Sequence, residues 1–202
     1  MPRPAGFHEP DILTRSMLLF WQQGFAATSV RDLEQATGLK ASSLYNRFQS
    51  KEHLFARVLA HYIERVVQLR IRRYLNAAED PVIGLRRFFE TTYDYIGDGR
   101  PAMACLLTNT ALEKAATDPP IRQQLDQGTR LLLQAFQTSL EDARERRLLP
   151  SQYDCQRGAR QLLLCLQGLL VDSTIHPDPA WLKGQVDAIF ATLPLIEPGE
   201  MQ

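Results

Sequence analysis

The stretch TGLKASSLYNRFQSKEHLF, Thr37 to Phe55, gathers a glycine, serines, a tyrosine, an asparagine and several cations into one short span. Placed on a helix at about 100° per residue, Leu44 and Phe48 fall on one side. Ser42, Ser43, Tyr45 and Asn46 fall on the other. The apolar side can anchor in a core. The other side offers short hydroxyls and an amide that can approach phosphates and base edges closely, with Lys40 and Lys51 supplying phosphate attraction at either end. Just upstream, Thr28 or Ser29 can cap a helix that has Asp32 in its first turn and Leu33 and Ala36 on its apolar side. Gly38 then makes a sharp break. A helix, a glycine turn and a short helix, from Ser29 to Phe48, outline a helix-turn-helix, whose second helix lies in the DNA major groove.

Working outward, apolar residues recur at helical spacing from Ile12 to Phe25, at Ile12, Met17, Leu19, Phe20 and Trp21, and Gly24 ends that helix. Ser50 caps a fourth helix with Glu52 in its first turn, continuing to about Tyr74. NAAEDP reads as a junction. Beyond it the periodicity predicts helices at 81–97, 102–116, 119–147, 153–175 and 178–193, separated by GDGRP, TDPP, LLPSQ and HPDP. Alternating strand patterns and internal repeats are absent, so the expected class is all-α. The last residues, IEPGEMQ, are expected to fray.

The formal net charge of zero conceals an asymmetry. Residues 1–75 hold 11 Lys and Arg against 6 Asp and Glu, and the remainder holds 12 against 17. A basic N-terminal third joined to an acidic remainder suits a nucleic-acid module attached to something else. Cys105, Cys155 and Cys165 are odd in number and suggest no disulfide framework. The N-terminal MPRPAGFHEPDIL has no apolar core of a secretory signal, and the longest nearly apolar run, Leu162–Val171, is too short to span a bilayer. The expectation is a soluble, cytoplasmic protein without membrane association. His8, His53, His61 and His176 are scattered, without a second ligand at metal spacing, and there is no Gly-rich phosphate loop. No cofactor, metal or catalytic residue is expected; Cys105, Asn109 and His176 form no supported hydrolase set.

FWQQGFAATSVRDLEQATGLKASSLYNRFQSKEHLF resembles the N-terminal domain of the TetR-type transcriptional regulators, over about Ile12 to Leu59. Its specific parts are GF.ATSVRDL, TGL and SLYNRFQSKEHLF. The resemblance implies phosphate contacts at Thr28 and Arg31. It implies base-edge contacts from the leading turn Lys40, Ala41, Ser42 and Ser43, backbone and base contacts at Tyr45 and Asn46, and a phosphate clamp at Lys51. Relatives with GLK here commonly continue Pro-Gly-Ser, where this chain has Ala41-Ser42-Ser43. That departure bears on the DNA sequence preferred and leaves the fold credible.

The resemblance also implies a C-terminal helical domain that binds a small ligand and forms a homodimer. Leu162, Leu163, Leu166, Leu169 and Leu170 lie at helical spacing around Gly168, and the last helix carries Trp181, Val186, Ile189, Phe190 and Leu193. Together these are expected to make a self-complementary dimer face. RPAMACLLTNTALEKA is similar to a subgroup of these regulators with Gly-Cys-Leu, an Asn and an Ala-Leu-Glu, Ala104 standing in place of the glycine. Cys105, Thr108, Asn109 and Leu112 share a face by their spacing and suit a pocket wall, with Phe88, Phe89 and Tyr93 as its aromatic lining. The expected domains are a helix-turn-helix DNA-binding domain at 1–55, a fourth helix at about 51–74 leading on, and a ligand-binding and dimerisation domain at 75–202. The expected function is a non-enzymatic repressor released from a palindromic double-stranded DNA operator by a small-molecule effector. The alternative is a redox- or electrophile-sensing repressor switched through Cys105; a third reading is an enzyme that borrows the fold.

Overall fold

The computed structural model describes residues 8–93, 104–113 and 117–196, and the described residues carry helices and no strand. By its contacts the chain divides into two compact units, Met1–Val66 with Cys105–Gly128, and Val67–Ala104 with Thr129–Gln202.

In the first unit, α1 spans Glu9–Gln23, α2 Val30–Thr37, α3 Ala41–Phe48 and α4 Lys51–Tyr62. Helix α1 begins ahead of the expected Ile12 because Pro10 supplies a first-turn residue that needs no N–H partner. Of the two capping candidates, Ser29 is the one used. Its hydroxyl accepts from the Asp32 N–H at 3.2 Å while the Ser29 N–H donates to Asp32 Oδ2 at 2.8 Å. This reciprocal box holds the Asp32 carboxyl below the usual carboxylate range, first through the Ser29 side chain. Gly38, at φ 75°, closes α2 by donating to the Glu34 carbonyl. Ser50 caps α4 by accepting from the His53 N–H.

Helix α1 packs on α2 and α4, and α3 packs on α2 and α4. Leu33, Leu44, Phe48, Leu54, Phe55 and Phe20 are buried. Phe20 and Phe25 both meet Phe55, at centroid separations of 4.6 and 5.0 Å, so α1, the turn after it and α4 share one aromatic cluster. Trp21 meets Tyr62 edge-on.

The fourth helix does not run as one regular helix to Tyr74. After Tyr62 the chain widens into π turns at Ile63–Val67 and Ile71–Asn76, with a short α5 at Gln68–Arg70 between them. The helix expected at 81–97 is described as α6, Pro81–Glu90, capped by Asp80. The helix expected at 102–116 contracts to α7, Leu106–Ala111. Residues 94–103 and 114–116, on which the ends of those two helices were expected, lie outside the described residues, as do 197–202 of the tail. Helices α8 Pro119–Glu145, α9 Cys155–Ile175 and α10 Pro179–Ala191 match their expected spans closely.

In the second unit, Phe88 and Phe89 of α6 meet Phe136 of α8, and Phe89 also meets Phe190 of α10 edge-on at 5.4 Å. Arg70 lies over the Phe88 ring and donates to the Phe88 carbonyl at 2.6 Å. Most of the residues expected on a dimer face turn to this unit's own core, while Trp181 is exposed. Leu162, Leu163, Leu166, Leu169 and Leu170 of α9, and Val186, Phe190 and Leu193 of the C-terminal segment, are buried in this unit's own core. A helix that is apolar almost all round has to spend its widest side intramolecularly. What remains outside on α9 is a second stripe, Leu164, Gly168, Val171 and Ile175.

One half-buried polar pair is expected to make the first unit sensitive to acid. Thr14 Oγ1 donates to the Pro10 carbonyl and lies 2.9 Å from His61 Nε2, so the ring donates its Nε2 proton to Thr14. Burial, helped by the Arg65 charge, pushes the His61 imidazole below the ordinary histidine value of 6.5. As pH falls through that value the unfolded chain takes the proton before the folded one does, so stability present above it is lost on acidification. The thermal midpoint is expected to fall between about pH 7.5 and about pH 5.5, and to fall less in His61→Gln. Equal slopes in the two proteins, read by circular dichroism melts, would rule His61 out as the source.

Candidate nucleic-acid interface

Helix α3 has two faces separated by its own periodicity. Leu44 and Phe48 are buried, which fixes the rotation of the helix, and Ser42, Ser43 and Asn46 are consequently exposed. Ala41 and Tyr45 are half-buried at the border between the two faces. Lys40 and Arg31 are exposed at the N-terminal ends of α3 and α2. The structure therefore brings Arg31, Lys40, Ser42, Ser43, Tyr45 and Asn46 to one helix-turn-helix.

Two expected contacts sit differently. Thr28 is 1 % exposed and donates its hydroxyl to the Gly24 carbonyl at 2.7 Å, which makes its side chain a brace of the α1–α2 turn. Lys51 places its Nζ 4.4 Å from the centre of the Phe25 ring, at the N-terminus of α4. Burial lowers its ammonium pKa from the ordinary lysine value, with Glu52, Glu113 and Asp32 opposing that shift.

Sequence reasoning missed the carboxylates that hold this head together. Lys40 occupies the N-cap position of α3 without a side-chain cap bond, and Glu34 supplies one from α2: its Oε1 accepts from the Ala41 N–H at 2.6 Å. Glu9 accepts from Arg47 of α3 at 2.9 Å and from Arg57 of α4 at 2.6 Å, bridging the start of α1 to both helices. Glu113, two residues beyond α7, accepts from the Phe25 and Ala26 N–H groups at 3.2 and 3.1 Å. A glutamate carries no local signal for such a partner; only Glu34, seven residues from Ala41, was close enough for spacing to suggest it.

The expected ligand residues divide between the units. Phe88 and Phe89 sit in the packed aromatic core, and Tyr93 is buried beyond the end of α6. The adjacent aromatics Phe88 and Phe89 on α6 are both drawn onto Phe136. On α7 the buried side is Leu106, Leu107 and Thr110. Cys105, Thr108 and Asn109 are half-buried, while Leu112 is 80 % exposed past the helix end. Tyr62 donates its hydroxyl to Cys105 Sγ at 3.4 Å. Two grooves of the second unit, of about 520 and 460 Å³, are lined by other residues, among them Arg130, Gln137 and Arg160 in the first and Tyr153 and Arg157 in the second. Among the described residues no group of three or more His, Cys, Asp or Glu is placed to hold a metal ion, and no helix is long and apolar enough to cross a membrane.

Comparison with known proteins bears on this architecture at both ends. Residues 12–58 match the sequence model of the bacterial regulatory proteins of the tetR family, and residues 81–189 match that of the tetracyclin repressor-like C-terminal domain. The HTH-type transcriptional repressor ComR of Escherichia coli K12 is 28% identical over 171 residues, covering 85% of this chain and 81% of that protein. A cysteine mutant of the TetR family regulator CifR, solved with 26-bp double-strand operator DNA, is 25% identical with a TM-score of 0.84, covering 95% of this chain and all of that one. The reduced form of Escherichia coli NemR shares the fold at a TM-score of 0.83 and 18% identity, covering 95% of this chain and 100% of that one. With the first pattern on the helices that carry the exposed polar face and the second spanning more than half of the sequence, the chain belongs to the TetR family of bacterial transcriptional regulators.

Proposed function

We propose that this protein is a homodimeric repressor that reads a palindromic operator with α3 and is released from it by a small-molecule effector. One observation carries the reading: α3 spends Leu44 and Phe48 on the core and leaves Ser42, Ser43 and Asn46 exposed between the cations Arg31, Lys40 and Lys51. Ser and Asn side chains of this size reach base edges, while the cations supply sequence-independent attraction to phosphate. The DNA-bound state of CifR and the repressor activity named for ComR support the same reading by likeness. The DNA module is assigned to residues 1–55 and the effector and dimerisation functions to 75–202. Effector contact is assigned to the half-buried polar side of α7, Cys105, Thr108 and Asn109.

A dimer presents its two α3 helices about one helical turn of DNA apart, ~34–36 Å, which is what makes a palindrome the natural target. The exposed stripe of α9, Leu164, Gly168, Val171 and Ile175, and that of α10, Trp181, Gly184, Ala188 and Ala191, supply the self-complementary face. At Gly168 and Gly184 nothing lies within 4 Å of where a Cβ would stand, leaving room for a partner backbone to approach closely.

A second reading uses Cys105 as a covalent switch. Its support is the half-buried thiol with a hydroxyl donor from Tyr62. Arg100, the cation nearest in sequence, lies outside the described residues.

Selection of duplexes from a random pool by the purified protein tests the main reading; failure to enrich any motif would overturn it. On the enriched duplex, Tyr45→Ala and Lys51→Ala are expected to weaken binding to all sequences, with Lys51→Ala lowering the salt slope by about one unit. Asn46→Ala is expected to change which bases are preferred. Binding unaffected by all three changes would exclude α3 as the reader.

Leu164→Glu, at a site 69 % exposed, is expected to give a folded monomer in sedimentation that has lost palindrome binding. Leu166→Glu, only two residues away but 2 % exposed, is expected to unfold the second unit instead. A folded dimer in Leu164→Glu would move the interface elsewhere.

For the covalent reading, N-ethylmaleimide is expected to label Cys105 before Cys155 and Cys165 at neutral pH and to release the operator, and Cys105→Ser is expected to stay bound. Labelling of Cys105 no faster than the other two, read by mass spectrometry, would leave the non-covalent effector as the mechanism.

A further inference from the structure

We propose that Glu113 is a positioning residue for DNA binding: its carboxylate latches α7 to the turn that leads into α2, so that a displacement of α7 is passed to the DNA-reading helices. The inference rests on the DNA-binding reading above and adds to it the route by which a change at α7 reaches the reading head.

The turn is built around this carboxylate. The Gly24 N–H closes α1 on the Phe20 carbonyl, and the next two N–H groups, of Phe25 and Ala26, point to Glu113 Oε1 and Oε2. A single anionic group with two oxygens takes both, in charge-assisted bonds stronger than neutral ones. Gly24 stands at φ 80°, and a Cβ there would come within 3.2 Å of Glu113 Oε1. Glycine is thus suited twice, by its dihedral freedom and by the space that it leaves for the carboxylate.

What the latch holds is connected directly to the reading head. Thr28, at the far end of the turn, donates to the Gly24 carbonyl, and Ser29 next to it caps α2. Phe25 packs on Phe55 of α4, with the Lys51 ammonium over its ring. A shift of the turn therefore moves the start of α2 and the platform under Lys51 together. At its other end the latch is attached to α7 by the shortest possible lever. The Glu113 N–H donates to the Thr110 carbonyl, and Thr110 is buried beside Leu106 and Leu107. Leu107 faces Gly128 of α8 and Ile63, so closely that a Cβ on Gly128 would stand 2.5 Å from Leu107 Cδ1.

That contact gives a way to push α7 with no effector needed. The experiment is a double-mutant cycle on the full chain, using the selected operator duplex and amide exchange followed by NMR. Gly128→Val is expected to weaken operator binding about fivefold or more in the wild-type background. In the Glu113→Ala background the same change is expected to alter it by less than about twofold, the tolerance for independent sites. Glu113→Ala alone is expected to speed exchange of the Phe25 and Ala26 amides, with Glu113→Gln, which keeps one acceptor oxygen, in between. If Gly128→Val does not fold, Gly128→Ala takes its place, since its Cβ already meets Leu107. Equal fold-changes in the two backgrounds, including no change in either, overturn the proposal, as does unaltered exchange of the two amides in Glu113→Ala. A wild type that enriches no duplex marks failure of the DNA-binding reading instead, while the amide exchange still reports whether the latch exists.

Discussion

The burial of Leu44 and Phe48 in the core of the first unit, where α3 packs on α2 and α4, is the constraint on which the rest depends. A helix of eight residues has little stability of its own and keeps its structure through the face it buries. Once those two side chains are inside, the rotation of α3 is settled, and Ser42, Ser43 and Asn46 have nowhere to go but out. The polar face is thus a by-product of the core, and its precision is inherited from the packing of Phe20, Leu33, Leu54 and Phe55. DNA recognition needs a rigid presentation of short side chains, and here rigidity comes from the apolar side of the same helix.

Around that core the carboxylates of a basic region are used as internal ties. Glu9 joins α1 to Arg47 and Arg57, Glu34 caps α3, and Asp32 completes the Ser29 box. Each satisfies donors that would otherwise face water, while Arg31 and Lys40 remain exposed. The net positive balance of the first third of the chain is therefore unevenly spent. Glu9, Asp32 and Glu34 are half-buried in these ties, whereas Arg31 and Lys40 stay exposed. Exposed ion pairs of this kind contribute little stability, so their value is geometric.

Helix α9 shows how an apolar helix can serve two neighbours. Its broad face, through Leu162, Leu166 and Leu169, fills the second unit's interior, and its narrow face, through Leu164, Val171 and Ile175, stays exposed among the described residues. Periodicity alone places leucines on both. The choice of face is made by what packs against it: α10 lies on α9 and also meets α6, so the side toward that group becomes core.

Most helix positions, the Gly24 and Gly38 breaks, the Ser50 cap and the two-sided character of α3 were legible in the sequence, because each depends on residues within one or two turns of one another. The family resemblance rested on the same local pattern, and it held. Only the tertiary structure decided the partners of Glu9, Glu34 and Glu113, the inward turn of the Thr28 hydroxyl, the core placement of Phe88 and Phe89 and the uncovered stripe of α9. Glu113 lies 88 residues from Phe25, and nothing in its neighbourhood specifies that address. Local propensities are set by bonded geometry and nearby side chains, whereas a carboxylate takes whatever unpaired donors the packing of helices brings to it.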